Sequence, residues 1–583
     1  MQRPSKHTER LLFTFVCLMT LLLVACGSNA GISDSTINPP TPTVVGTPPA
    51  AYDKQIFRFP LVNIDDIATF DPALVTDVPS SQAIDMVFNG LVRFDDNLQV
   101  QPELAQSWEQ SSDGLQWTFH LRPNLTFSDG SPLTSKDVAY SIDRALQPTT
   151  KSTISLNYLA LIQDADKLNT GKIKTIIGDS ILTPDSSTVV LKAARKAAYF
   201  LYALTYPTSY VVEQRLISKY GNDKFTDHLT EGGGSGPFIV SQYIHQKEID
   251  FVPNPYYYGL KPLLQKVVFP FMKSSTIAYQ SYQTGQVDYT PVPADRLDEA
   301  SKLTNQYSRT PQLFTYYIAM NFLEKPFDNL HIRQAFALSI QRETVAHQIF
   351  NNTVISTYHI IPQGMIGYHL DLTGPAGIKD SRGNVSLAQQ LFREGLQEEG
   401  WSGISQMPPI KFTYPTSPTT DRWVTLMIQM WQNALGVNVI PDPVDFNKEL
   451  TELQATVNNP KGLQMWMLGW SADYPDPQDW TTLQFDKGAA QNAMNYGQNN
   501  TADALQEQTV QTQMEQADAE SNPTTRIQLY DNAEQQLINQ VAWIPLIQFT
   551  NDALLKPYVQ GFTFNSLEVT PPTDWANIYI AQH

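Results

Sequence analysis

The run Leu463-Gln464-Met465-Trp466-Met467-Leu468-Gly469-Trp470-Ser471-Ala472-Asp473-Tyr474-Pro475-Asp476-Pro477 starts as a continuous apolar segment and ends in glycine, tryptophan, carboxylates and prolines. An apolar stretch of that length suits a buried strand. Such a strand would deliver Trp470 and Asp473 to its own end, before a turn stiffened by proline. An aromatic plane near a carboxylate suits a cationic group on an extended polar ligand: the ring supplies contact area and the carboxylate a charge-assisted hydrogen bond. The spacing equally suits a strand-end turn in which Trp470 is core and Asp473 caps local backbone N–H groups.

Working outward, residues 409–414 and 437–439 flank an apolar-striped segment, 424–435, that ends at Gly436. That order predicts a parallel strand–helix–strand unit with glycine at the helix C-terminus. Residues 329–349 predict one long helix, with Ile332, Phe336, Ile340 and Val345 facing the core. Further upstream, Asp113-Gly114 marks a hairpin turn within 108–122, and Thr134 with Asp137 marks the start of a helix over 136–146. Residues 81–91 predict another helix, and 502–520 with 523–540 a helical pair. Gly232-Gly233-Gly234-Ser235-Gly236-Pro237 lacks the spacing of a phosphate loop and reads as a flexible turn feeding a strand over 238–243. A 583-residue chain exceeds one core, so two or three domains are expected.

At the N-terminus, Arg3, Lys6 and Arg10 precede an apolar segment over 11–25, too short for a membrane span and right for a secretory leader. Leu23-Val24-Ala25-Cys26 resembles a bacterial lipobox, which implies cleavage before Cys26 and lipid on its sulfur. Residues 26–51, rich in Pro and Thr, read as a tether, with the folded body starting near Tyr52. The only other cysteine, Cys17, lies in the leader, so thiol catalysis and thiolate metal sites are excluded from the mature form.

The formal net charge is −18, and no long Lys/Arg cluster is present, which argues against nucleic-acid binding. The nine His are scattered without metal-ligand spacing, and no Gly-x-Ser-x-Gly occurs. No catalytic set, cofactor or metal is expected. Paired acids such as Asp473 and Asp476 are common in so acidic a chain and do not by themselves indicate glycoside chemistry.

Several passages, in order, resemble the bacterial extracellular solute-binding proteins of the oligopeptide/dipeptide class (family 5) that serve ABC importers. They include Pro102-Glu103-Leu104-Ala105, Trp117-Thr118-Phe119-His120-Leu121-Arg122, Phe127-Ser128-Asp129-Gly130, Gly234-Ser235-Gly236-Pro237-Phe238, Asn254-Pro255-Tyr256-Tyr257, Ile332-Arg333-Gln334-Ala335-Phe336, the 469–477 turn and Trp543-Ile544-Pro545-Leu546. The resemblance implies a two-lobed α/β periplasmic-binding-protein-like fold with a discontinuous first lobe (52–97, 207–312 and 547–583). It also implies a small additional α/β domain (98–206) and a second lobe (313–546). It implies a monomeric lipoprotein on the extracytoplasmic face of the cell membrane. That protein would capture short peptides between its lobes and deliver them to an importer permease, without enzymatic activity. In the oligopeptide-binding members the Asp of the Gly-Trp-x-x-Asp stretch pairs with the ligand's α-amine, which implies that role for Asp473 beside Trp470. Members of the same scaffold carry metal chelates, haem or oligosaccharides, so those solutes, or a non-transport signalling or structural lipoprotein, are the alternatives.

Overall fold

The structure, a computed structural model, describes residues 47–499 and 501–583. The leader 1–25, Cys26 and most of the tether lie outside the described residues. The body begins slightly earlier than the Tyr52 expected from sequence. The Ala50 N–H donates to the Ile580 carbonyl (2.8 Å) and the Gln582 N–H to the Pro48 carbonyl (2.9 Å). Residues 48–50 thus satisfy backbone groups along the C-terminal strand that would otherwise be left open.

The quoted run forms the strand Met465–Ser471 inside a seven-stranded mixed sheet. It pairs antiparallel with Tyr307–Met320 and parallel with Ile410–Pro415. Alternate side chains enter different cores: Met465 and Met467 pack with Phe412 and Trp431, whereas Trp466 and Leu468 pack with Tyr317 and Trp543. Burial on both faces is why the sequence shows no polar alternation there. Ile410–Pro415 and Val439–Val444 are parallel, joined by the helix Pro418–Leu435 and by Gly436 at φ +72°. The order and the glycine stop are as the sequence predicts, but the helix starts at Pro418, six residues before the expected 424.

A second sheet contains Ile56–Arg58, Leu61–Val62, Lys266–Met272, Glu248–Pro253 and Phe238–Ile244. It surrounds a core with Phe57, Phe269 and Trp575. The third, four-stranded sheet is antiparallel and built on the expected hairpin, Ala105–Gln110 with Gln116–Leu121. Its own core includes Phe119, Ile142 and Leu191. The molecule is a two-lobed α/β protein with an additional small sheet domain. Two long strands, Tyr307–Met320 and Ile544–Leu555, run side by side, and the latter also pairs with Tyr289–Pro291.

Two further expectations change. The glycine-rich segment before Phe238 is packed rather than flexible: the Gly236 N–H donates to the Val87 carbonyl at 2.7 Å. A Cβ on Gly234 would lie 2.0 Å from the same oxygen, so only glycine allows this approach to the end of the helix Val78–Val87. The single helix expected over 329–349 is two, Leu330–Leu338 and Arg342–Phe350. In a continuous helix the Arg342 N–H would donate to the Leu338 carbonyl. Instead, Arg342 N–H donates to Ser381 O (3.1 Å) and Leu338 O accepts from Asn384 N–H (2.8 Å). A distant loop replaces the bond that would have joined the helices.

Candidate functional site

A cavity of about 420 Å³ opens where the three sheet systems meet. One wall is the helix Val78–Val87 with its cap, presenting Asp77, Ser81 and Asp85. The small domain contributes Tyr158 and Tyr206, whose rings stack at 3.6 Å. The opposite wall is the strand Tyr307–Met320 at Gln312, Leu313 and Phe314, together with Ser471, Ala472 and Asp473. Residues from Asn565 to Pro572 close the remaining side.

The strand wall is irregular for a reason. Pro311 pairs with Thr550 and Thr315 with Gln548, so residues 312–314 face a single partner residue and bulge from the ladder. Their backbone groups find other partners: Leu313 N–H donates to Ser566 O (3.2 Å) and Leu313 O accepts from Ala472 N–H (2.9 Å). The bulge thereby ties the 471–473 turn and the C-terminal segment to one strand beside the cavity.

The turn that leaves Met465–Ser471 carries three carboxylates with different surroundings. Asp476 is fully buried and accepts both arms of the Arg526 guanidinium (2.6 and 2.7 Å). It also caps the short helix Pro477–Trp480. Asp479 is fully buried; its Oδ2 accepts the Trp470 indole N–H (3.0 Å) and the Asp473 backbone N–H (3.3 Å). Its Oδ1 has no hydrogen-bond partner among the described residues. Burial, reinforced by the neighbouring Asp473 charge, holds the Asp479 carboxyl well above the usual range. Asp473 itself is half-buried on the cavity wall. Burial pushes it up to about 6, against the opposing effect of the nearby Tyr158 hydroxyl. Asp479 therefore steadies the turn through its two accepted hydrogen bonds, while Asp473 faces the cavity.

The two sequence candidates thus part. Asp473 lines the cavity. Trp470 does not: it packs at the edge of the core around Tyr317 and Trp543, with its N–H committed to Asp479. Tyr474 is buried, stacked on Tyr199 of the small domain (5.8 Å), with its hydroxyl hydrogen-bonded to Gln478. Sequence reading missed Asp85, Glu568, Tyr158 and Tyr206. A signal existed for Asp85, a carboxylate set between Ile84 and Met86 on a helix whose neighbours are buried. The other three gave none.

Among the described residues Arg93 is the only Lys, Arg or His on the cavity wall. It already faces Glu103 (3.0 Å) and Asp574 (3.6 Å) and donates to the Phe94 carbonyl (2.7 Å). Among the described residues no group of three or more His, Cys, Asp or Glu is placed to hold a metal ion. The arrangement suits non-covalent capture of a small polar solute with cationic character.

The family described as bacterial extracellular solute-binding proteins, family 5 (middle), matches residues 99–492. The chain belongs to this family. It is an extracytoplasmic binding protein of the oligopeptide/dipeptide class found in ABC import systems, and not an enzyme. It is 27% identical over 542 residues to the probable deoxycholate-binding periplasmic protein YgiS of Escherichia coli, covering 91% of this chain and 94% of that one. It is also 27% identical over 533 residues to the periplasmic oligopeptide-binding protein OppA of Salmonella typhimurium, covering 89% and 92%. Its fold matches the unliganded open form of the periplasmic murein tripeptide binding protein MppA with a TM-score of 0.76. That match has 24% identity and covers 92% of this chain and 99% of that one.

Proposed function

We propose that this family 5 protein captures short peptides in the cavity and presents them to an importer permease, with Asp473 receiving the peptide's α-ammonium. The observation that carries this is the Asp473 carboxylate itself: half-buried, on the cavity wall, and, among the described residues, without a protein cation to neutralise it. A solute ammonium would restore the charge balance that burial disturbs, and capture would draw the carboxyl back toward its ionised form. Backbone amides along the remaining walls would accept peptides of varied sequence. The relatives described as oligopeptide-binding support this reading.

Closure would turn on the paired long strands Tyr307–Met320 and Ile544–Leu555, whose bulge sits beside the cavity. On this reading the chain divides into the lobes and small domain implied by its family resemblance. The protein acts as a monomer held to the outer face of the membrane by lipid on Cys26. Deoxycholate, the solute in the name of one relative, carries a carboxylate and would meet Asp473, Asp85 and Glu568 with like charge.

Native mass spectrometry of gently purified protein tests the reading. A ladder of co-purified peptide masses is expected. A single defined mass corresponding to a chelate, a haem or a sugar would contradict it.

A further inference from the structure

The run Trp543-Ile544-Pro545-Leu546-Ile547 is apolar, and Gln548 follows it with a side chain only 1% exposed, inside the strand Ile544–Leu555. A buried amide is costly unless its donor and acceptor groups are met. Two other segments meet them. The Gln548 Nε2 donates to the Gln312 carbonyl (2.8 Å) and the Gln363 carbonyl (2.7 Å), and its Oε1 accepts from the Gln363 N–H (3.0 Å). Only this orientation of the amide satisfies all three groups, because a flipped one would set its NH2 against the Gln363 N–H.

Both segments are held elsewhere. Gln312 opens the bulge 312–314, where the strand Tyr307–Met320 leaves its ladder with Ile544–Leu555. Bulged residues lose ladder partners, so their placing depends on what else they bond. Gln363 belongs to a loop pinned to the helix Pro523–Asn539, where Glu534 Oε1 accepts the N–H groups of Ile360 and Ile361, both at 2.9 Å. Gly364 follows at φ +98°, and a Cβ there would lie 2.2 Å from the Ser566 Oγ, so the loop runs close against the C-terminal segment. Gln548 therefore ties the bulge to a fixed loop. The bulge in turn holds two cavity walls, through Leu313 O to the Ala472 N–H and through Leu313 N–H to Ser566 O.

We propose that Gln548 is a positioning residue for solute capture: it is not among the residues that line the cavity, yet it fixes the bulge that sets the 471–473 turn, and so the direction in which Asp473 meets a ligand's ammonium. Its effect on affinity rests on the amine-anchored reading; its effect on the turn needs no ligand. A turn ordered before binding spares the complex the entropy of ordering it. Loosening the bulge leaves the Asp473 carboxylate chemically intact but spreads it over more directions, and a charge-assisted hydrogen bond weakens as its alignment is lost. The loss should therefore fall on the amine contact more than on the rest of the ligand.

The test uses Gln548→Met, which keeps the length and bulk of the side chain and removes all three bonds. Ile410→Val is the control, trimming a fully buried residue of the same sheet far from the bulge in the ladder. Hydrogen exchange of the unliganded proteins, read by mass spectrometry, comes first. In Gln548→Met the amides of Leu313 and Ala472 are expected to exchange about tenfold or more faster than in wild type, with those of Gln116–Leu121 unchanged. Calorimetry with trialanine and N-acetyl-trialanine follows. The ratio of the two affinities is expected to fall about threefold or more in Gln548→Met and to stay at the wild-type value in Ile410→Val. If Gln548→Met fails to fold, Gln548→Glu reads the same exchange and the same ratio: it keeps an oxygen facing the Gln363 N–H and loses the donor to Gln312.

Exchange at Leu313 and Ala472 that is unchanged, or that rises equally across the whole protein, would overturn the inference and leave the amine-anchored reading standing. Faster exchange there with an undiminished affinity ratio would overturn the role in capture, leaving Gln548 a purely structural residue. A wild-type ratio near one would overturn the amine-anchored reading, while the exchange data would still decide whether Gln548 orders the turn.

Discussion

Asp476 and Asp473 lie three residues apart in one turn and meet opposite fates. Asp476 is buried with a guanidinium on both its oxygens, so its charge is spent on holding the turn to the helix Pro523–Asn539. Asp473 faces a cavity and, among the described residues, has no protein cation. The protein has the means to neutralise a carboxylate in this turn and uses them at one position only. The difference separates structure from function here: a carboxylate that the fold itself completes is architecture, and one left incomplete beside a cavity invites a ligand.

The comparison breaks most visibly at Arg526. Arg526→Met leaves Asp476 buried and unpaired, and should destabilise the protein by about 3–5 kcal/mol in urea unfolding. A loss below about 1 kcal/mol would mean the pair is not what holds the turn.

Asp473→Ala should act in the other sense. Peptide affinity should fall by about 2–5 kcal/mol in calorimetry, because the ammonium loses its partner in a partly dry site. Unfolding free energy should stay within about 0.5 kcal/mol of wild type or rise, since the variant removes a carboxylate the fold does not neutralise.

Asp479→Ala is the intermediate case. It removes the acceptor shared by the Trp470 indole and the Asp473 backbone N–H, and should cost about 1–3 kcal/mol of stability. Peptide affinity should weaken by a smaller factor than in Asp473→Ala, because Asp479 only positions the group proposed to receive the ligand.

The gentlest perturbation is pH, and it pulls stability and affinity in opposite directions. Burial raises Glu449 and Glu534 to about 8, and Asp518 and Glu568 to about 7. Each binds a proton more readily folded than unfolded. Their contribution to stability is therefore complete below the ordinary carboxyl range and is lost as pH rises through about 7 to 8. The melting temperature of the unliganded protein should rise as pH is lowered from about 8 to about 6. Affinity for a cationic peptide should instead fall as acid neutralises Asp473 near pH 6. Parallel pH trends in the two measurements would contradict this division.

Sequence revealed the scaffold wherever local pattern and final environment agree. The apolar run before Gly469 shows no alternation because cores lie on both faces of its strand. Gly436 marks the end of the helix Pro418–Leu435 because only a left-handed residue turns the chain into the next strand. The break between Leu338 and Arg342 was hidden because the groups that cause it, Ser381 and Asn384, are remote in sequence. Trp470 and Asp473 were read as a pair, and nothing local showed that the indole would turn to Asp479. Asp85 and Glu568 became visible as cavity residues only once segments hundreds of residues apart were brought together.

The most direct measurement is a double cycle that titrates a free-amine tripeptide and its N-acetylated counterpart into wild-type protein and Asp473→Asn. The account predicts that acetylation sharply weakens binding to the wild type and scarcely matters in the variant. An acetylation penalty of equal size in both proteins would show that the ligand's positive end lies elsewhere.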